Sequence, residues 1–286
     1  MPGSRPMLMW PVDRFVAGET MDEALEVVRG LNDEGLLVTL DLLGENVTER
    51  EDAEAFRDAY VEMLRGIAEA GVDSNISIKL SMIGLNIEQK LAREHLRTIL
   101  EAARETGNWV RIDMEGSPLI QMTLEIFYGL FDEFDNVGVV IQSMMRRSAE
   151  DVETLIGKGA RVRLVKGAYK EPEPLAYQEK ARINEEFDRL AVRLLDEGNY
   201  PAIATHDDER IEHVLRHATT KGIPADDFEF QFLYGLRRET RRSLVERGYR
   251  MRVYVPYGTR WFPYFSRRLR ERKENVLFLL GSLLKR

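Results

Sequence analysis

The chain carries 286 residues with 41 Lys+Arg against 49 Asp+Glu, a formal net charge of −8, and 44% hydrophobic residues. Such a balance excludes a disordered chain, and diffuse negative charge excludes nucleic acid, which needs clustered lysine and arginine. The absence of cysteine excludes disulfides, thiolate metal sites and a cysteine nucleophile.

No apolar run reaches the roughly 18 residues of a membrane span, and Met1-Pro-Gly-Ser4 lacks the basic-then-apolar layout of an export signal. The chain therefore reads as cytoplasmic.

In chain order, residues 1–35 precede the first β-rich run, and Ala24, Leu25, Val27, Val28 and Leu31 predict a leading N-terminal helix with one apolar face. The first strand is predicted at 36–41. Thr48 with Glu51 then forms a candidate capping box, and Phe56, Tyr60, Met63, Leu64 and Ile67 recur at helical spacing.

Further strands are predicted at 75–80, 109–113, 137–142 and 161–165. After the fifth, Ile183, Phe187, Leu190, Ala191, Leu194 and Leu195 predict a helix face, with Glu185, Glu186, Asp188 and Arg189 turned to solvent and Gly198 as the stop. Strands at 201–205, 228–232 and 250–255 complete eight runs.

Each strand and its helix together take about 30 residues, the size of a βαβ unit, and several strands are continuously apolar, as in a covered parallel sheet. No Gly-x-Gly-x-x-Gly and no Walker loop follows the strands, so an open nucleotide-binding sheet is disfavoured. The expected fold is α/β, a single (β/α)8 TIM barrel over 1–286 with residues 1–35 as a helical extension.

Active sites of such barrels lie where the strands end. Those positions hold Asp41, Lys79, Asp113, Gln142, Lys166, Thr205, His206, Gln231 and Tyr254. So many polar groups at one mouth look functional together, because buried charge costs several kcal/mol unless paired. Arg163 shares its strand side with Arg161, so it points into the barrel and needs an acidic or accepting partner. On the helix expected after the eighth strand, Arg267 and Arg268 stand four and three residues before Glu271, within ion-pair reach.

Seven segments together resemble the proline dehydrogenases: Asp41-Leu-Leu-Gly-Glu45, Ser77-Ile-Lys-Leu-Ser81, Arg111-Ile-Asp-Met-Glu115, Arg163-Leu-Val-Lys-Gly-Ala-Tyr169, Ala204-Thr-His-Asp207, Phe228-Glu-Phe-Gln231 and Tyr264-Phe-Ser-Arg-Arg268. The resemblance implies a distorted barrel carrying FAD, with the eighth helix over the mouth. It implies oxidation of L-proline to Δ1-pyrroline-5-carboxylate by hydride transfer to the flavin, with electrons passed to a quinone.

By the same resemblance, Lys79, Arg267 and Arg268 hold the substrate carboxylate, with Glu271 and Glu45 orienting the arginines. Asp113 lies under the substrate ring, and Tyr169, Leu233 and Tyr254 wall it. Arg163 sits near the flavin's reactive nitrogen, and Met114, Gln142, Lys166, Gly167, Ala168, Thr205, His206 and Gln231 contact FAD. A positively charged mouth follows, against the acidic whole.

Lys170-Glu-Pro-Glu-Pro174 departs from the bifunctional relatives and fits a stand-alone bacterial enzyme. His213 and His217 have helical metal-ligand spacing but no acidic companion motif, so no metal is assigned. The apolar tail 276–286 with its basic end reads as core, with peripheral contact at the inner membrane surface as the alternative. Two other readings use the same residues: a Schiff-base aldolase with Lys79 or Lys166 as nucleophile, and an inactive barrel that only binds a small carboxylate.

Overall fold

Strands that are apolar on both faces must be covered on both, and a parallel sheet needs a long crossover between neighbours. Alternation of strand and helix meets both demands. In the computed structural model, which describes residues 14–44 and 47–262, the strands form a closed parallel barrel in sequence order.

The strands are β1 (Leu37–Leu42), β2 (Ser74–Ile78), β3 (Val110–Ile112), β4 (Val137–Gln142), β5 (Arg161–Val165), β6 (Ala202–Ala204), β7 (Glu229–Leu233) and β8 (Arg250–Tyr257). Helix α1 (Met21–Asp33) precedes them. Between them run α2 (Arg50–Ala70), α3 (Gln89–Glu105), α4 (Ser117–Phe131), α5 (Ser148–Gly157), α6 (Lys180–Glu197), α7 (Asp208–Lys221) and α8 (Arg238–Glu246). The ring closes where β1 lies beside β8, with Leu37 opposite Arg252 and Leu42 opposite Tyr257.

The expected helix faces are buried at Tyr60, Met63, Leu64 and Ile67 of α2 and at Phe187, Leu190, Ala191, Leu194 and Leu195 of α6, while Phe56 and Ile183 are half-buried. Gly198 caps α6 as expected. In α1, Ala24, Leu25, Val28 and Leu31 are buried, and the helix packs on β1 and α2.

Two local expectations are corrected. The capping box is not at Thr48, because α2 starts one residue later than that register requires and Glu49 caps it without a side-chain bond. The box sits at α1, where Thr20 accepts from Glu23 N and Glu23 accepts from Thr20 N. Glu186 is buried, not solvent-facing, because Arg182 and Arg189 both reach it at 2.6 Å.

Side chains inside the ring are unusually polar for a barrel core. Arg163 points inward at 4% exposure, while Val162 and Leu164 on the opposite side of β5 are buried beneath helices. Lower in the barrel, Arg111 lies 4.3 Å from the Trp109 ring. Gly138 makes room for that stack, since a Cβ there would meet Trp109 at 2.6 Å and the Arg161 carbonyl at 2.5 Å.

The segment before α1 reaches the opposite end. Phe15 and Val16 pack with Leu43 and Leu236, beside Leu233, and Ala17 N donates to Pro256 O at 2.9 Å. Arg267, Arg268, Glu271, Glu45, the helix expected after β8 and the apolar tail lie outside the described residues.

Candidate active site

The strand ends deliver their side chains to one cavity of about 1170 Å³. Ligand pockets usually measure roughly 300–1,000 Å³, so this one has room for more than a small substrate. Every described residue singled out from the sequence lines it: Lys79, Asp113, Met114, Gln142, Arg163, Lys166, Gly167, Ala168, Tyr169, Thr205, His206, Gln231, Leu233 and Tyr254.

Asp113, just past β3, is the hub. Its Oδ1 accepts from Ser77 Oγ at 2.6 Å and Arg163 Nη1 at 2.7 Å, and its Oδ2 accepts from the Tyr254 hydroxyl at 2.6 Å. Lys79 Nζ lies 2.8 Å from Asp41 Oδ1 and 3.7 Å from Asp113 Oδ2. Strands β1, β2, β5 and β8, the end of β3 and the turn after β2 are thereby tied across the ring.

Charge balance sets the protonation states. Burial pushes the Asp113 carboxyl up, but Arg163, Lys79 and the bonds from Ser77 and Tyr254 together hold it below the ordinary value. Burial and the neighbouring Asp113 charge raise Asp41 in spite of Lys79. For Lys79, burial favours the neutral amine, yet Asp41, Tyr254 and Asp113 outweigh it and hold the ammonium well above the ordinary lysine range. Burial and the Asp113 carboxylate push the Tyr254 phenol well up.

On the far side of the mouth, Lys166 Nζ meets Asp207 Oδ2 at 2.6 Å. Asp207 also caps α7 by accepting from Glu209 N. Gln142 donates to the Glu115 carbonyl at 3.0 Å, and the Glu115 carboxylate accepts from Ser81 N and Oγ. His206 Nε2 accepts from Leu233 N at 3.0 Å, which places the proton of its neutral form on Nδ1. Tyr169 stands at the rim, 44% exposed.

Of the cations expected to make the mouth positive, Lys79, Arg163 and Lys166 each face a carboxylate, and Arg267 and Arg268 lie outside the described residues. Sequence reading assigned no role to Ser77, Asp207 or Glu229. Ser77 stands two residues before Lys79 and Asp207 closes the Thr-His-Asp run, so both were within reach of strand alternation. His217 pairs with Asp196 at 2.7 Å between α7 and α6.

A cofactor can be tested against this lining. Among the described residues Arg163 Nη2 is buried without a hydrogen-bond partner, so a donor is left over on a residue that lines the cavity. Gly167 has φ +118°, and a Cβ there would lie 2.6 Å from Met144 Cγ. Only glycine fits that backbone, and its bare peptide gives a flat group close approach.

Taken together, the ring, its charged mouth and a cavity wider than a small substrate are those of a barrel enzyme with its site at the strand ends. The proline dehydrogenase family model matches residues 24–280, and the chain belongs to that family. It is 43% identical over 273 residues to Proline dehydrogenase 1 of Bacillus subtilis subsp. natto, covering 96% of this chain and 90% of the relative. Against the proline dehydrogenase of Deinococcus radiodurans it is 39% identical over 283 residues, covering 97% and 91%.

Among solved structures, proline utilization A (PutA) from Bdellovibrio bacteriovorus, inactivated by N-propargylglycine, superimposes with a TM-score of 0.87 at 28% identity. The match covers 92% of this chain and 32% of that one, so the chain spans about a third of that larger protein.

Proposed function

We propose that this chain oxidises L-proline to Δ1-pyrroline-5-carboxylate with bound FAD, and that electrons leave to a quinone. The observation that carries the reading is the Lys79–Asp113–Arg163–Tyr254 cluster at the barrel mouth of a chain in this family. The reaction removes a hydride from C5 and a proton from the ring nitrogen, leaving a C=N bond. FAD, when bound, supplies the hydride acceptor.

The residues fit their parts chemically. Lys79 is fixed as an ammonium with three N–H donors, of which Asp41 takes one at bonding distance. The remaining capacity suits a substrate carboxylate, joined by Arg267 and Arg268 with Glu271 as their orienting acid. Tyr254, Tyr169 and Leu233 supply apolar surface around a small ring and exclude water.

Arg163 brings a permanent cation to the cavity wall, suited to stabilise charge that develops on the acceptor. Lys166, Gly167, Ala168, Met114, Gln142, Thr205, His206 and Gln231 would hold the cofactor along the walls that β4 to β7 contribute. The whole chain, 1–286, is one such domain. It works in the cytoplasm, with peripheral contact at the inner membrane surface as the route to a quinone. Among the described residues no helix is long and apolar enough to cross a membrane.

A Schiff base on Lys79 is poorly served, because the nucleophile must be a neutral amine and Lys79 is held protonated, while Lys166 is tied to Asp207 at 2.6 Å. The test is an anaerobic titration of the purified yellow protein with L-proline, which should bleach the flavin absorbance. Colourless protein, or flavin indifferent to proline, would overturn the reading. Borohydride trapping of a carbonyl substrate on lysine would favour the aldolase instead.

A further inference from the structure

Beneath the site lies a second tier of buried charge. Glu229 and Gln231 are two apart on β7 and so face the barrel axis together; their exposures are 2% and 4%. Gln231 Oε1 accepts from Arg163 Nε at 2.5 Å, and Gln231 Nε2 donates to Glu229 Oε1. Glu229 also accepts from Arg252 Nε at 2.7 Å and from the Tyr200 hydroxyl at 3.2 Å. Arg252 is itself anchored on the Val38 carbonyl at 2.7 Å.

A glutamine amide has nearly the same shape either way round, but its two ends are chemically opposite. An ionised carboxylate only accepts, so Glu229 claims the NH2 end and leaves the oxygen for Arg163. Turned over, Gln231 would set its NH2 against a guanidinium and its oxygen against a carboxylate, losing both bonds. The charge at Glu229 therefore decides which atom Arg163 meets.

The consequence reaches the guanidinium. Arg163 is gripped at Nη1 by Asp113 and Ser77 and at Nε by Gln231, which leaves Nη2 without a partner among the described residues. Losing the Nε grip frees rotation about the Nη1 contacts. We propose that Glu229 is a positioning residue which, through Gln231, holds the Arg163 guanidinium in the rotation in which it faces the cavity. The proposal rests on the reading of Arg163 as the cation beside the flavin.

The test compares Glu229→Gln, Arg163→Met and the double variant in the full flavin-loaded chain, measuring the flavin midpoint potential and its single-turnover reduction by proline. A lost charge-assisted bond is expected to slow reduction roughly tenfold. Glu229→Gln should lower the potential, as Arg163→Met does, and add nothing once Arg163 is gone. Simple loss of a negative charge would instead raise the potential, with or without Arg163, and that result overturns the proposal.

Gln231→Met, which cuts the relay but keeps the Glu229–Arg252 pair, should reproduce the Glu229→Gln shift even if that variant folds poorly. A wild-type potential in Gln231→Met also overturns the proposal. Should Arg163→Met leave the potential unchanged, the reading of Arg163 fails. The hold itself is then read from hydrogen exchange at Arg163 Nε–H in flavin-free protein, faster in Glu229→Gln if the relay operates; equal exchange sinks it.

Discussion

Asp113 shows how one side chain can organise a mouth. Four donors from four parts of the ring converge on its two oxygens, so its removal strands buried cations. Asp113→Ala should cost about 3–5 kcal/mol, the usual penalty for breaking a buried pair, read as a shift in the urea midpoint. Its depressed carboxyl contributes stability that is present above the ordinary value of 3.8 and lost as pH falls through the lower folded value. Lys79 works the other way: its raised value gives stability that is full below 10.5 and lost only as pH climbs through the folded value.

Tyr254 offers a spectroscopic check on the same hub. With its phenol pushed well above 10.0 by burial and Asp113, Tyr254→Phe should leave the tyrosinate absorbance step near pH 10 unchanged. A smaller step in the variant would show that Tyr254 ionises normally. Asp113, Lys79 and Tyr254 were visible in the sequence as strand ends and Arg163 as an inward-pointing arginine. Their pairing was not, because Arg163 and Tyr254 lie 50 and 141 residues from Asp113 and only ring closure brings them together.

At the scale of elements, apolar spacing located the helices but said little about polar positions. Glu186 looked like surface because periodicity counts only apolar residues, and its two arginine partners make burial affordable. The loop after β5 is pinned by one side chain and by a backbone bridge to the segment after β4. Glu171 Oε1 accepts from Ser117 N at 2.8 Å, at the start of α4, and Tyr177 N donates to Met144 O at 2.8 Å. Glu171→Ala should speed amide exchange at Ser117 while the barrel's urea midpoint stays put; unchanged exchange would mean the loop holds without that bond. At α1, Thr20→Ala should cost about 1 kcal/mol, as loss of an N-cap usually does, and a midpoint unmoved by it would show the box is idle.

For the whole molecule, the repeat of strand and helix made the barrel legible before any contact was known. What the repeat could not reveal is how much charge the ring hides: Arg111, Arg163, Glu229 and Arg252 all sit inside it. The net charge of −8 thus says little about the interior, where these arginines sit with the carboxylates of Glu229, Asp113 and Asp41. Gly138 is the space that lets Arg111 lie on Trp109. Gly138→Ala should therefore destabilise by about 1–3 kcal/mol or more through overpacking, seen as a lower melting temperature; a neutral effect would mean that Trp109 can move aside.

The β1–β8 seam has a consequence for how the chain is made. Leu37 finds Arg252 only after nearly the whole protein has been synthesised, and at roughly 5–20 residues per second that is a wait of about ten to forty seconds. Throughout it, β1 and the newest strand each present an open hydrogen-bonding edge, the feature that invites pairing with other chains. A ribosome stalled short of Tyr257 would hold an arc with two raw edges, so the last strand to emerge is also the one that makes the product safe to release.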